Sequence, residues 1–329
     1  MGRHGVSRGV RPRTVVIGMV AIATIVAAAV GLSLWLRQQH PGAVKLQGPH
    51  GDSPVSYAGI FPAEDDEPLA NPLGIAYDGE YLYVAESDAG VIRIFDENGG
   101  RVGTIGLTVA EGQRVVYPSV IAIAGDRLAV VDNAGARALV ISPEPADAAT
   151  IHALLGHEDV PLLQPTAVTY SEGELLVADA GDKTIKTYDT EGIHLRTLEP
   201  ASISGESALT ALSVVDGVSY ALGSPSGSVH ALDLETGSPV RGASGEYPMP
   251  RTLEPVGGEM LAVVDGLNRS VTLIGADGTE RAVIDEEMVA GAALSGPRGG
   301  AWVTDDERLY VTDASSGRVF VYNVRLELL

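Results

Sequence analysis

Five acidic residues, Glu86, Asp132, Asp179, Asp265 and Asp313, close short apolar runs of one make, such as Leu82-Tyr83-Val84-Ala85-Glu86 and Leu309-Tyr310-Val311-Thr312-Asp313. Carboxylates that recur at one place in a repeat can do two things. Gathered on one face, they can hold a hard cation such as Ca2+, which takes carboxylate oxygens, or dock a basic partner. Taken singly, each can cap the turn that follows it by accepting backbone N–H groups, as Asp does in tight turns. The second reading is preferred. A binding site needs asymmetry, and these acids come in every repeat but one. They also end strands that lie away from any shared centre. Ca2+ is the one ion these acids could take; otherwise no metal or cofactor is expected.

The remaining chemistry is sparse. Glu64-Asp65-Asp66-Glu67 and Asp285-Glu286-Glu287 lack the alternating acid–glycine spacing of a calcium loop and read as solvated charge runs. His152 and His194 fall on outer strands and His230 on a third strand; with His157 they lie at the periphery of different blades, too dispersed to converge on zinc. Cysteine is absent, which removes disulfides, thiolate metal sites and thiol nucleophiles. No catalytic residue is assigned.

The acids belong to a repeat. Each anchor ends a second strand, a small-residue turn follows, and a third strand comes next, as in Val91–Phe95, Arg137–Ile141 and Thr184–Tyr188. The anchors at 86, 132, 179, 223, 265 and 313 are spaced 46, 47, 44, 42 and 48 residues apart, with Gly223 replacing the acid in the fourth repeat. Spacings of roughly 40–50 residues, all strand and no helical period, predict a β-propeller. Six anchors predict six blades, near 72–106, 117–156, 164–198, 208–245, 249–284 and 295–329. The fold class is thus all-β. The sixth repeat lacks a fourth strand, and Val55–Phe61 precedes the first repeat as an orphan. The economical reading is that 55–61 closes the last blade; the alternative is that Val324–Leu329 supplies the strand.

Pro72-Leu73-Gly74-Ile75-Ala76-Tyr77 with Asp78-Gly79, and Leu309–Asp313 with Gly317-Arg318-Val319, resemble NHL repeats. Arg137 and Arg318 stand five residues after their acids and Asn268 three after Asp265, as that pattern has it; Glu86 and Gly223 depart from it. Propellers similar to this one in fold include gluconolactonase-type hydrolases, amidating lyases and strictosidine-synthase-like proteins, whose ligands or carboxylates sit on innermost strands. Here those strands are expected at Leu73–Tyr77, Val120–Ala124, Ala167–Tyr170, Leu209–Val214, Thr252–Val256 and Gly300–Thr304, with Glu254 the sole carboxylate. Acid–base or metal chemistry needs at least two cooperating groups.

Thr14–Leu36 runs 23 residues without a charge, roughly 34 Å as a helix, enough to span a bilayer. Arg3, Arg8, Arg11 and Arg13 precede it, so the positive-inside rule puts residues 1–13 in the cytoplasm as a basic tail. Thr14 and Leu36 bound the anchor and Trp35 suits its interface. A cleaved signal peptide is the competing reading, disfavoured by the length of the apolar run. Residues 37–54 are expected to form a flexible linker. The protein is then a single-pass membrane protein with an extracytoplasmic propeller.

Net charge is −21, or about −25 beyond the basic segment by subtraction, which repels nucleic acid. The expected function is a non-catalytic binding or scaffolding platform for an envelope protein, peptide or glycan. The alternative is a divalent-cation-dependent hydrolase or lyase of gluconolactonase-like type using the central channel; a third is a structural spacer in a membrane complex. Charge does not choose a face, because Asp96-Glu97 and Asp305-Asp306-Glu307 fall opposite the turn acids.

Overall fold

Short runs of Val, Ile, Leu and Tyr, punctuated by Gly and Asp, favour pleated strands joined by tight turns. In the computed structural model, which describes residues 42–49, 51–107, 117–156, 159–203, 205–286 and 293–329, they form six four-stranded antiparallel sheets. Each sheet is one blade of a β-propeller. The apolar segment at 14–36 with Thr14, Trp35 and Leu36, the basic tail and His157 lie outside the described residues. Among those residues no helix is long and apolar enough to cross a membrane.

In blades one to five the strands follow chain order from the channel outwards. Blade six is composite: Val55–Phe61 lies outside Arg318–Val324, with Val55 opposite Val324 and Phe61 opposite Val319. Beyond Val324 the chain makes only a 3-10 turn at Leu326–Leu328. Six buried apolar clusters each join two neighbouring blades. One packs Ala301 and Val321 of blade six on Ile75 and Val84 of blade one, which closes the ring. Second strands such as Leu82–Glu86 are buried throughout, which explains their unbroken apolar sequence.

Two features depart from the sequence reading. Part of the segment expected to be a flexible linker is docked: Val44 N–H donates to Asn98 O (2.8 Å), Gln47 N–H to Ala58 O (2.8 Å), and Asn323 Nδ2 to Gln47 O (3.2 Å). Val44 and Leu46 pack on the cluster between blades six and one. Gly59 makes room for this, since a Cβ there would lie 2.9 Å from Leu46 Cδ2. The second feature is a register shift near the start of every innermost strand, between Pro72 and Ile75, Pro118 and Val120, Pro165 and Ala167, Leu209 and Ala211, Pro250 and Thr252, and Pro297 and Gly300. Such bulges re-aim the residue they insert.

Candidate functional site: the turn acids and the channel mouth

The turn acids are buried, Glu86 at 3% exposure and the four aspartates at 0%. Each lies opposite the proline that opens its blade's innermost strand, as Asp179 does with Pro165 and Asp313 with Pro297. Asp313 accepts backbone N–H groups from Ser295 (2.6 Å) and Gly296 (2.8 Å), before the innermost strand, and from Ser316 (2.9 Å) in the turn. Asp179 likewise accepts from Leu163 (2.8 Å), Gln164 (2.8 Å) and Gly181 (3.0 Å). Asp132 accepts from Tyr117 (3.0 Å) and Gly135 (3.2 Å). Burial alone would raise these carboxyls, but the donors outweigh it and hold Asp179 and Asp313 below the ordinary range.

Cations complete several of these turns. Arg93 Nε lies 2.9 Å from Glu86, Arg137 Nη2 3.1 Å from Asp132, and Lys186 Nζ 2.6 Å from Asp179. Burial keeps Glu86 raised despite Arg93. Arg318 turns elsewhere: its Nη2 donates to the carbonyls of Glu64 (3.1 Å) and Asp66 (3.0 Å), which holds the exposed acidic run. Asp265 is the least provided, with Leu267 N–H (2.8 Å) and Asn268 N–H (3.2 Å) on Oδ1 and no hydrogen-bond partner for its buried Oδ2.

Blade four solves the same problem from another position. Gly223 has no side chain, and the Glu206 carboxylate, from the loop before the innermost strand, fills the space. A Cβ on Gly223 would stand 2.5 Å from Glu206 Cδ. Glu206 accepts the N–H of Ser226 (3.2 Å), the Ser226 hydroxyl, and His230 Nε2 (3.3 Å). Burial would raise its carboxyl, but these donors hold it below its ordinary value. His230 stands seven residues after Gly223, as Lys186 does after Asp179. The replaced acid was itself the available signal, because the turn N–H groups still need an acceptor. The acids thus knit loop to turn within single blades. Among the described residues no three His, Asp or Glu side chains gather as a metal would require.

The innermost strands enclose a cavity of about 460 Å³. The bulges place Ser119, Thr166, Thr210, Arg251 and Arg298 on its wall, at the end nearest the turn acids. Thr166 Oγ1 donates to Leu209 O at 2.6 Å, Ser119 Oγ to Val131 O at 3.4 Å and Thr210 Oγ1 to Leu222 O at 3.5 Å. Asn133, also on the wall, donates from Nδ2 to Pro165 O at 3.0 Å. Arg251 and Arg298 are half-buried, each with a buried Nε that has no acceptor. Burial lowers the Arg251 pKa, the Arg298 charge lowers it further, and Asp265 opposes both.

Glu254 is the carboxyl of the lining. Its Oε1 accepts Trp302 N–H at 2.9 Å, and burial pushes its pKa up to about 8 despite that bond. At that value the carboxyl is mostly protonated at neutral pH. Sequence reasoning found Glu254 but missed both arginines. It began the innermost strands at Thr252 and Gly300, where alternation resumes, and so left the bulged residues outside. The signal available was a polar residue directly after proline, as in Pro118-Ser119, Pro165-Thr166, Pro250-Arg251 and Pro297-Arg298.

Fold and cavity together define a six-bladed β-propeller. No protein-family model matches the chain, and no curated protein matches it. Among solved structures it is similar to a streptogramin B lyase, with TM-score 0.56 and 10% identity over 78% of this chain and 95% of that one. It is also similar to the hydrazine synthase of Kuenenia stuttgartiensis, with TM-score 0.56 and 18% identity over 81% of this chain and 80% of that one. At such identities the likeness carries the fold alone.

Proposed function

We propose that this chain is an NHL-type propeller held outside the cell membrane by a single N-terminal helix, and that it works as a non-catalytic binding platform. Its ligand, a protein, peptide or glycan of the envelope, seats at the channel mouth beside the turn acids. The observation that carries this reading is the composition of the cavity wall. Hydroxyls, an amide and two guanidiniums can recognise a ligand, and the one carboxyl has no second carboxyl and no imidazole beside it among the described lining residues. General acid–base catalysis draws on cooperating groups of matched pKa.

The hydrolase or lyase reading keeps one observation in its favour. Glu254 is a protonated carboxyl inside a cavity, the state a general acid needs. The two readings part in one experiment on the full chain in detergent. A photo-crosslinking residue at Thr210, in the mouth, is compared with one at Asp306, on the opposite face. Capture of a partner at Thr210 alone supports the platform. Turnover of lactones or esters that dies with Glu254→Gln would replace it with the enzyme. Stoichiometric binding of Ca2+, Mg2+ or Zn2+ that raises the melting temperature at micromolar metal would count against the reading of the turn acids as structural. Resistance of the protein to alkaline extraction, with the propeller open to external protease in intact cells, tests the anchor and its orientation.

A further inference from the structure

The chain is strongly acidic, at −21, so each cation has acids to choose from. Seven of the sixteen described lysines and arginines use them, and Arg93 with Glu86, Arg127 with Glu191, Arg196 with Glu174 and Arg308 with Asp306 all lie within 3.0 Å of a carboxylate oxygen. Arg251 and Arg298 do not. They occupy the same bulged position in consecutive blades and line one cavity; among the described residues no carboxylate lies within ion-pair distance of either, and the Asp265 charge only partly offsets the lowering of Arg251. The one acceptor given to Arg251 is the weak Met249 Sδ, 2.7 Å from Nη2. A buried N–H without an acceptor costs the fold its desolvation. The Arg298 charge adds repulsion, which lowers the Arg251 pKa after the larger effect of burial. A fold keeps such a pair where an arriving group settles both.

We propose that Arg251 and Arg298 form an anion subsite at the channel mouth, which takes the carboxylate or phosphate of the ligand. This rests on the channel mouth being the binding face. A guanidinium presents its N–H groups in a planar fork that matches two oxygens of one anion, so a single carboxylate or phosphate can answer both arginines. The rest of the wall fixes what accompanies the anion. Ser119, Thr166 and Thr210 spend their hydroxyl protons on backbone carbonyls. Their oxygens are left to accept, so they suit hydroxyl or amide donors on the ligand. Glu254, uncharged at neutral pH, does not repel the anion. The cavity, about 460 Å³, falls in the range of roughly 300–1,000 Å³ for sites that hold small molecules or chain ends. The ligand class is therefore an anion carrying hydroxyl or amide groups: a sugar acid, a sugar phosphate or a peptide carboxyl end.

The test is calorimetric titration of the full chain with glucuronate, glucose 6-phosphate and an acetylated dipeptide with a free carboxyl end, against glucose and the dipeptide amide as neutral controls. Saturable binding of one anion and not its neutral counterpart is expected. The dissociation constant should rise about 10- to 100-fold in Arg251→Gln and in Arg298→Gln, the range for losing a charged hydrogen bond. Arg281→Gln, at an exposed arginine outside the cavity, should leave it unchanged. The preferred probe identifies carboxylate or phosphate. Arg251→Lys and Arg298→Lys guard against misfolding, since they keep the charge and lose only the fork; partial retention of binding is expected. No saturable binding of any of the three anions, or binding that survives the Arg251→Gln, Arg298→Gln double variant, overturns the subsite. If a partner is still captured from Thr210 in that case, the platform reading stands without it.

Discussion

Asp179 of blade three and Arg251 of blade five sit on the same rim, one at the end of a second strand and the other in the bulge of an innermost one. Asp179 meets three backbone N–H groups and Lys186. Arg251 meets a thioether, a neighbouring arginine and open cavity, with the Asp265 charge acting on it short of an ion pair. Both positions recur around the ring; the chain answers the acids and the bulge hydroxyls, while the two bulge arginines have no ion pair. A charge satisfied within its own blade serves folding, and one left unanswered on a cavity wall points to a ligand. The recurrence of the acids therefore says little about function, while the odd pair of arginines says more.

Breaking the satisfied side should have the largest effect. Asp179→Ala removes the fully buried one of Lys186's two acids, leaving it Asp182, and strands three N–H groups, so a loss of about 3–5 kcal/mol is expected in urea unfolding. Arg298→Gln should change stability by under about 1 kcal/mol, because no ion pair is lost. Equal losses at the two positions would erase the contrast.

Blade four sharpens the comparison by showing that the acid can move. Glu206→Ala should cost about 2–3 kcal/mol by unpairing the 226 turn and His230. Gly223→Asp alone should also destabilise, since its side chain meets Glu206. Combined, the two should recover much of the loss, with Asp at 223 placed as in four other blades. A double-mutant cycle reads that coupling, and simple additivity would show that the two positions do not share one role.

Glu254 tests the cavity itself. Its folded pKa of about 8 lies above the ordinary 4.5, so the folded state holds a proton that the unfolded chain has released. Stability should then fall as pH rises from about 4.5 towards about 8 and level off above. Glu254→Gln keeps the acceptor for Trp302 N–H and removes that dependence. It should match the parent near pH 4.5 and exceed it by about 1–3 kcal/mol at pH 8.5, with cavity water screening part of the effect. The smallest effect belongs to Asp265→Asn, under about 1 kcal/mol, because one of its oxygens has no partner to lose. Asp313→Asn, with both oxygens engaged, should cost more.

The ring was readable because its second strands are buried on both faces, so Leu261–Asp265 and its counterparts stand out as continuous apolar runs ending in an acid. The mouth was not. A bulge breaks the alternation that marks a strand, and Arg251 and Arg298 fall in that break. Glu206 was hidden for a related reason. Hydrogen-bonding geometry needs a carboxylate at a point in space, and two chain positions can reach it. Leu46 went unread because its packing depends on the bare backbone of Gly59, some distance along the chain.

The composite blade has a consequence for how the molecule is made. Val55–Phe61 leaves the ribosome before all the other strands of the ring, and its partner Arg318–Val324 leaves last. Val55, Ala58 and Phe61, buried in the finished molecule, have no sheet to join until then. Loop closure over so long a chain is slow, and an unpaired apolar edge invites pairing with other chains. The waiting strand is the moment of greatest risk for misassembly, and a chaperone that shields residues 55–61 would protect the whole ring.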